Sequence, residues 1–227
     1  MHNTPRHPNA TQPAIAQANN PKAAPILQLS GVTYGLADRV LFENWCFNIP
    51  AGLTLVRGGD GSGKTRLLAM LAGDVPPAAG ELTIKGVSLS TAYEVYRRQV
   101  FRVDPRADTN DTLPVDHFFS AVAARYPNFS TTDLADLVAG FSLQEQLGKS
   151  LYMLSTGTKR KVLLAAALAS GAELTLLDEP FAALDRPSGN FLHEVLADAA
   201  HHISRAFVIA DHEAPEDIPL AVCIDLD

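Results

Sequence analysis

The eight residues Gly58-Gly59-Asp60-Gly61-Ser62-Gly63-Lys64-Thr65 constrain this chain more than any other stretch. They fit G-x-x-x-x-G-K-[ST], a phosphate-binding loop, with a further glycine at Gly61. The apolar run Leu53-Thr54-Leu55-Val56 precedes them as a strand, and Arg66 to Ala72 follows as a helix that Gly73 is placed to end. Each residue type has a physical reason. Glycines let successive backbone N–H groups turn inward around an anion, where side chains would obstruct them. The helix N-terminus adds partial positive charge, Lys64 adds a full one, and the Thr65 hydroxyl suits a Mg²⁺ ion. Strand, glycine loop and helix in that order describe a site for a nucleoside triphosphate, with Gly58 to Arg66 as its candidate binding residues.

The rest of the composition sets bounds around that loop. A chain of 227 residues is one large domain, or one domain with a subdomain, and can bury a substantial core. The net charge of −7 and a pI near 5.4 argue against direct nucleic-acid binding. The longest uncharged apolar stretch, Val162 to Ala172, is too short to span a bilayer and carries a helix pattern. Cys46 and Cys223 lie in strand-like runs without metal-type spacing and read as reduced core residues of a cytosolic protein. Residues 1–25 are rich in Pro, Asn, Ala and Gln with no apolar signal segment, so they are expected to be a disordered tail ahead of a domain at 26–227. His2 and His7 fall in that tail.

Ordered structure is expected from Ile26-Leu27-Gln28-Leu29, then in a second strand from Val40 to Ile49, with a Pro50-Ala51-Gly52 turn leading to the phosphate loop. These strands suggest an antiparallel β layer beside the nucleotide. Tyr34 reads as an ordinary strand tyrosine, with stacking on an adenine ring as the alternative. Strands are expected at Gly80–Gly86 and Val100–Val103, with a short polar helix or loop at Tyr93–Gln99 between them. Arg97, Arg98, Arg102 and Arg106 form a basic cluster, either solvated or facing an acidic partner. Helical spacing in Val115–Tyr126 and Thr131–Val138, with Ser130 as a cap, marks a helical subdomain over about residues 105–157. Asp116 and His117 in its first helix read as surface residues.

A second chemical cluster follows. Ser155 is a natural cap for the helix Lys159–Ala169, and Gly157 allows close approach to the backbone. The apolar run Leu174-Thr175-Leu176-Leu177 reads as a buried parallel strand ending in Asp178-Glu179. Neighbouring strand side chains point to opposite sides, so the two carboxylates need not share a role. Asp178 is suited to hold Mg²⁺, and Glu179 to orient and deprotonate a water attacking the γ-phosphorus. The strand Ala206–Ala210 ends at Asp211-His212, on the sheet edge where open α/β folds bind ligands. A histidine there can donate to a γ-phosphate, though a lone one is usually structural. His201-His202 reads as a solvated helix end.

Taken together and in this order, these motifs over residues 26 to about 213 resemble the ATP-binding cassette family, the nucleotide-binding subunits of ABC transporters. The resemblance implies a P-loop NTPase α/β core with a mostly parallel sheet, an N-terminal antiparallel β layer and an inserted helical subdomain. It makes Tyr34 the adenine-stacking aromatic and Leu154-Ser155-Thr156-Gly157-Thr158 the signature motif. It makes Asp178 the Mg²⁺ aspartate, Glu179 the catalytic glutamate, Ala182–Asp185 the loop that crosses to a partner subunit, and His212 the switch histidine. Two positions depart from the family pattern. Thr156 and Thr158 replace a glycine and a glutamine of Leu-Ser-Gly-Gly-Gln, while Ser155 and Gly157 remain. The glutamine expected at the strand end entering the helical subdomain is missing, and Asp104 is the nearest candidate to reach Mg²⁺ in its place.

The resemblance further implies ATP hydrolysis with ATP and Mg²⁺ as ligands, in a head-to-tail dimer of two cassettes. It implies a separate transmembrane permease and a peripheral location on the cytoplasmic face of the membrane. Short single cassettes of this kind resemble subunits of compact exporters. The alternative is a soluble cassette ATPase acting on nucleic acid, ribosomes or proteins, for which no basic arm or coiled-coil insertion is visible.

Overall fold

The computed structural model describes residues 14–17, 24–35, 40–104 and 109–227. Its strands are β1 (Ala14–Gln17), β2 (Leu27–Gly35), β3 (Val40–Ile49), β4 (Gly52–Arg57), β5 (Ala79–Ile84), β6 (Val87–Ser88), β7 (Val100–Val103), β8 (Leu174–Asp178), β9 (Ala206–Asp211) and β10 (Val222–Asp225). Its α-helices are α1 (Lys64–Leu71), α2 (Tyr93–Arg98), α3 (Val115–Arg125), α4 (Thr131–Gly140), α5 (Thr156–Ala169) and α6 (Arg186–Ala200). Two short 3₁₀ turns, Gln144–Gln146 and Leu151–Met153, lie between α4 and α5.

The central sheet runs β1-β10-β4-β9-β8-β7, with β10, β4, β9, β8 and β7 parallel. Its inner strands are apolar at nearly every position because both faces are covered, as a parallel sheet requires. Alternation along each strand then divides the interior into two cores. Leu53, Leu55, Leu177, Phe207 and Ile209 face the core built with α3 to α6. Val56, Leu174, Leu176, Val208 and Ala210 face the core built with α1 and the antiparallel sheet β3-β2-β5-β6. The phosphate-loop helix is thus held between the two sheets, with Leu67, Leu68, Met70 and Leu71 all fully buried.

Register aligns the functional ends. Arg57 at the end of β4 pairs with Asp211 of β9, and Asp178 of β8 pairs with Ala210. The phosphate loop after β4, the acidic pair after β8 and His212 after β9 therefore emerge from the same sheet edge. The helical excursion leaves after β7 and returns into β8, its immediate neighbour, so the insertion adds no new strand between them. Within it, Tyr126 of the α3 end donates to the Val100 carbonyl at 2.7 Å, tying the excursion back to β7.

Two expectations change here. Within the stretch expected to be a disordered tail, Ala14–Gln17 pairs antiparallel with β10, whose outer ladder groups would otherwise be an open sheet edge. His2 and His7 lie outside the described residues, as does Arg106 of the basic cluster. Cys46 is exposed and not in the core; its Sγ accepts from the Gly31 N–H at 3.1 Å. Arg97 and Arg102 converge on Asp74, so that part of the basic cluster is neutralised within the chain.

Candidate functional site

The phosphate loop is built by the short path from β4 into α1. Gly63 takes a left-handed φ of 106° at the N-cap of α1, a turn that non-glycine residues resist. Lys64 opens the helix and is only 6% exposed. Its Nζ donates to the carbonyls of Gly58 at 2.7 Å and Gly59 at 3.0 Å, spanning the loop from inside. Gly59 N–H points outward and donates to both carboxylate oxygens of Asp227, at 2.9 and 3.1 Å. An anionic group on a loop N–H is what the loop's geometry favours. Asp227 escaped the sequence reading; its signal was the strand β10 returning beside β4, which no local pattern reveals.

At the end of β8, the Oδ1 of Asp178 is buried and has no hydrogen-bond partner. A desolvated, unpaired carboxylate oxygen is costly unless a cation or donor arrives, so the site fits the expected Mg²⁺. Thr65, the second residue of α1, supplies the hydroxyl such an ion would share. The next residue, Glu179, adopts a left-handed φ of 45° and is held by its N–H to the Ala210 carbonyl at 2.8 Å. This turn aims its carboxylate toward β9. His212 Nε2 lies 3.8 Å from Glu179 Oε1 and 3.4 Å from Asp60 Oδ1. The loop, the catalytic candidate and the strand-end histidine therefore meet in one place.

The second cluster is also local and well formed. Ser155 caps α5, its Oγ accepting from Thr158 N–H at 3.2 Å and lying 2.9 Å from Thr158 Oγ1. A Cβ added at Gly157 would stand 2.5 Å from the Ala183 carbonyl oxygen. The glycine is thus demanded by the chain's own Phe181–Leu184 loop, in addition to any ligand. Arg160 donates to the carbonyls of Glu179 and, at 3.4 Å, Asp178, while Lys161 pairs with Asp185. Neither Arg160 nor Lys161 stood out in the sequence, because their partners are distant in the chain.

Two candidates stand apart from the convergence. Tyr34 is 3% exposed and packed in the core beside the antiparallel sheet, its hydroxyl accepting from Arg66 Nε at 3.3 Å. The physical reason is an irregularity in β2: pairing shifts between Leu29 and Val32, so the inward positions change from Leu27 and Leu29 to Val32 and Tyr34. The ring is packed by its neighbours and is not presented as an open face for adenine. Asp104 follows β7, with its Oδ2 3.2 Å from Arg102, which also binds Asp74. It is drawn toward the Arg102 guanidinium, and it is not among the carboxylates grouped with His212. Asp116 and His117 are exposed on α3, as expected.

A strand-loop-helix phosphate site beside an acidic strand end and a strand-end histidine, on a parallel sheet flanked by helices, defines a P-loop nucleoside triphosphatase. Residues 42–182 match the family model described as ABC transporter. The chain is 34% identical over 172 residues to the cytochrome c biogenesis ATP-binding export protein CcmA of Pseudomonas aeruginosa, covering 75% of this chain and 83% of that protein. Its fold matches a solved ATP-binding subunit of an ABC transporter with a TM-score of 0.73 at 22% identity, over 82% of this chain and 79% of that one. It also matches a dimeric ATP-binding cassette in a post-hydrolysis state bound to ADP and inorganic phosphate, with a TM-score of 0.67 at 20% identity, over 82% and 88% of the two chains. The chain belongs to the ABC transporter family, as an ATP-binding subunit with ATPase activity. Among the described residues, no helix is long and apolar enough to cross a membrane.

Proposed function

We propose that this subunit powers export through a separate transmembrane permease, two cassettes closing head to tail around ATP at the cytoplasmic face of the membrane. The observation that carries the reading is the meeting of Glu179 and His212, 3.8 Å apart, beside the phosphate loop. Lys64 exchanges its loop carbonyls for phosphate oxygens, and the N–H groups of the loop and α1 wrap the same oxygens. Mg²⁺, held by Thr65 and Asp178, would neutralise charge on the β- and γ-phosphates. Glu179 orients a water for in-line attack on the γ-phosphorus and takes its proton, while the bridging oxygen leaves with ADP. His212 Nε2 donates to the γ-phosphate, leaving its present carboxylate neighbours.

Closure places Ser155 and Gly157 of a second copy over that γ-phosphate, where the N-terminus of α5 adds positive potential. Support for a dimer comes from a fold neighbour that was solved as one. Support for export comes from the relatives, whose names describe ATP-binding export proteins of cytochrome c biogenesis. The test is Glu179→Gln. It should retain ATP binding, lose hydrolysis by about 100-fold or more, and accumulate as an ATP-dependent dimer in size-exclusion chromatography. Undiminished hydrolysis removes Glu179 from the role of base, and a monomer at saturating ATP removes the clamp.

A further inference from the structure

Among the described residues, Asp60, Glu179 and His212 offer three ligand atoms that all lie within 4.8 Å of one another. They come from three separate segments: the phosphate loop, the end of β8 and the end of β9. We propose that this triad binds a divalent transition-metal cation of the Zn²⁺ type, at a position different from the Thr65–Asp178 pair suited to Mg²⁺.

The geometry is close to what such an ion needs. Zn²⁺ bound tetrahedrally at about 2.0–2.1 Å sets its ligand atoms roughly 3.4 Å apart. His212 Nε2 stands 3.4 Å from Asp60 Oδ1 and 3.8 Å from Glu179 Oε1. Small rotations of the two carboxylates, of which Asp60 is 97% exposed, would close the remaining gap. The donor set selects the class of ion. One imidazole with two carboxylates suits Zn²⁺, Co²⁺ or Ni²⁺, whereas Mg²⁺ prefers oxygen and water alone. Two carboxylates match the charge of a divalent cation, and partial exposure leaves a fourth position for water.

The competing account is a protonated His212 simply bridging two carboxylates. It predicts no stoichiometric metal uptake. The metal account has a mechanical consequence as well. An ion held here occupies Glu179 and His212 together and clips the tip of the phosphate loop to both strand ends. Binding would therefore hold the site in an inactive arrangement with the base and the switch histidine both engaged.

The experiment titrates Zn²⁺ into the full, untagged chain without nucleotide or Mg²⁺ by isothermal calorimetry, with Co²⁺ visible absorption as a second readout. One site per chain is expected. Asp60→Asn and His212→Gln should each weaken it at least about tenfold, the lower bound for losing even an outer-shell partner, and should abolish the tetrahedral Co²⁺ bands. A His201→Ala/His202→Ala variant should bind as the wild type does. All three residues of the triad are at least part-exposed, and thermal unfolding by circular dichroism verifies that each variant is folded. Equal uptake by wild type, Asp60→Asn and His212→Gln would assign the ion elsewhere and overturn the proposal, as would absence of a stoichiometric site in the wild type.

Discussion

The guanidinium of Arg160 donates to the backbone carbonyl of Glu179, joining the second turn of α5 to the acidic end of β8, where the proposed general base sits. It also reaches the Asp178 carbonyl at 3.4 Å. One residue on, Lys161 pairs with Asp185 at the far end of the same loop. The helix that Ser155 caps is thereby fastened to the acidic strand end at Asp178–Glu179. Glu179 sits at φ 45°, an arrangement that persists only where surrounding bonds enforce it.

Removing that fastening should show in turnover and not in ATP capture, because Arg160 touches the backbone behind the carboxylate. Arg160→Ala is expected to lower kcat about 10–100-fold, the scale of a small misplacement of a reacting group, with KM for ATP within a few-fold of wild type. Arg160→Lys, which keeps one donor, should recover part of the loss. Steady-state ATPase assays with parallel melting curves check this; a fall in melting temperature with normal kcat would make Arg160 purely structural.

Tyr34 invites a test that separates packing from nucleotide contact. Its ring is buried, and its hydroxyl holds Arg66 at 3.3 Å. Truncating a buried aromatic to alanine costs about 3–5 kcal/mol, so Tyr34→Ala should unfold at markedly lower denaturant concentration. Tyr34→Phe keeps the packing and frees Arg66, and its ATP affinity should stay within a few-fold of wild type. A large loss of affinity in a normally stable Tyr34→Ala would instead assign the ring to adenine stacking.

What could be read from the chain and what could not divide along a physical line. The phosphate loop, the buried strands around Leu55, Leu176 and Val208 and the cap at Ser155 are local patterns, and each appears where the sequence puts it. The inward turn of Tyr34 depends on a pairing irregularity in β2, which leaves no periodic trace. The contacts Asp60–His212, Arg160–Glu179 and Gly59–Asp227 join distant segments through sheet register, and residue type alone does not specify register. The pairing of Ala14–Gln17 with β10 was hidden by the polar composition around it.

Two glycines should respond to alanine in opposite directions. At Gly157 the new Cβ meets the Ala183 carbonyl at 2.5 Å, and Ala183 is itself held at φ 60°. Helix propensity favours alanine there by up to about 1 kcal/mol, but overpacking against a backbone atom costs about 1–3 kcal/mol. Gly157→Ala should therefore destabilise the chain. At Gly189, within α6, a Cβ meets nothing within 4 Å. Gly189→Ala should stabilise by about 0.4–1 kcal/mol. Chemical denaturation of the two variants gives both signs in one experiment.

Asp185 provides a pH-dependent test of the loop's anchoring. Its carboxylate accepts from Lys161 and from the Ser188 N–H at 2.9 Å, capping α6. The Lys161 hydrogen bond first, and then the Ser188 backbone N–H, hold its carboxyl well below the ordinary range. A carboxyl whose folded pKa is depressed adds stability above its unfolded value, about 3.9, and loses that contribution as pH falls toward the folded value. Asp185→Ala should thus melt below wild type at neutral pH. The gap should stay constant down to about pH 4 and then narrow with further acidification. Melting curves of both proteins across that range check the direction; a gap unchanged in acid would show that the anchor does not depend on the ionised carboxylate.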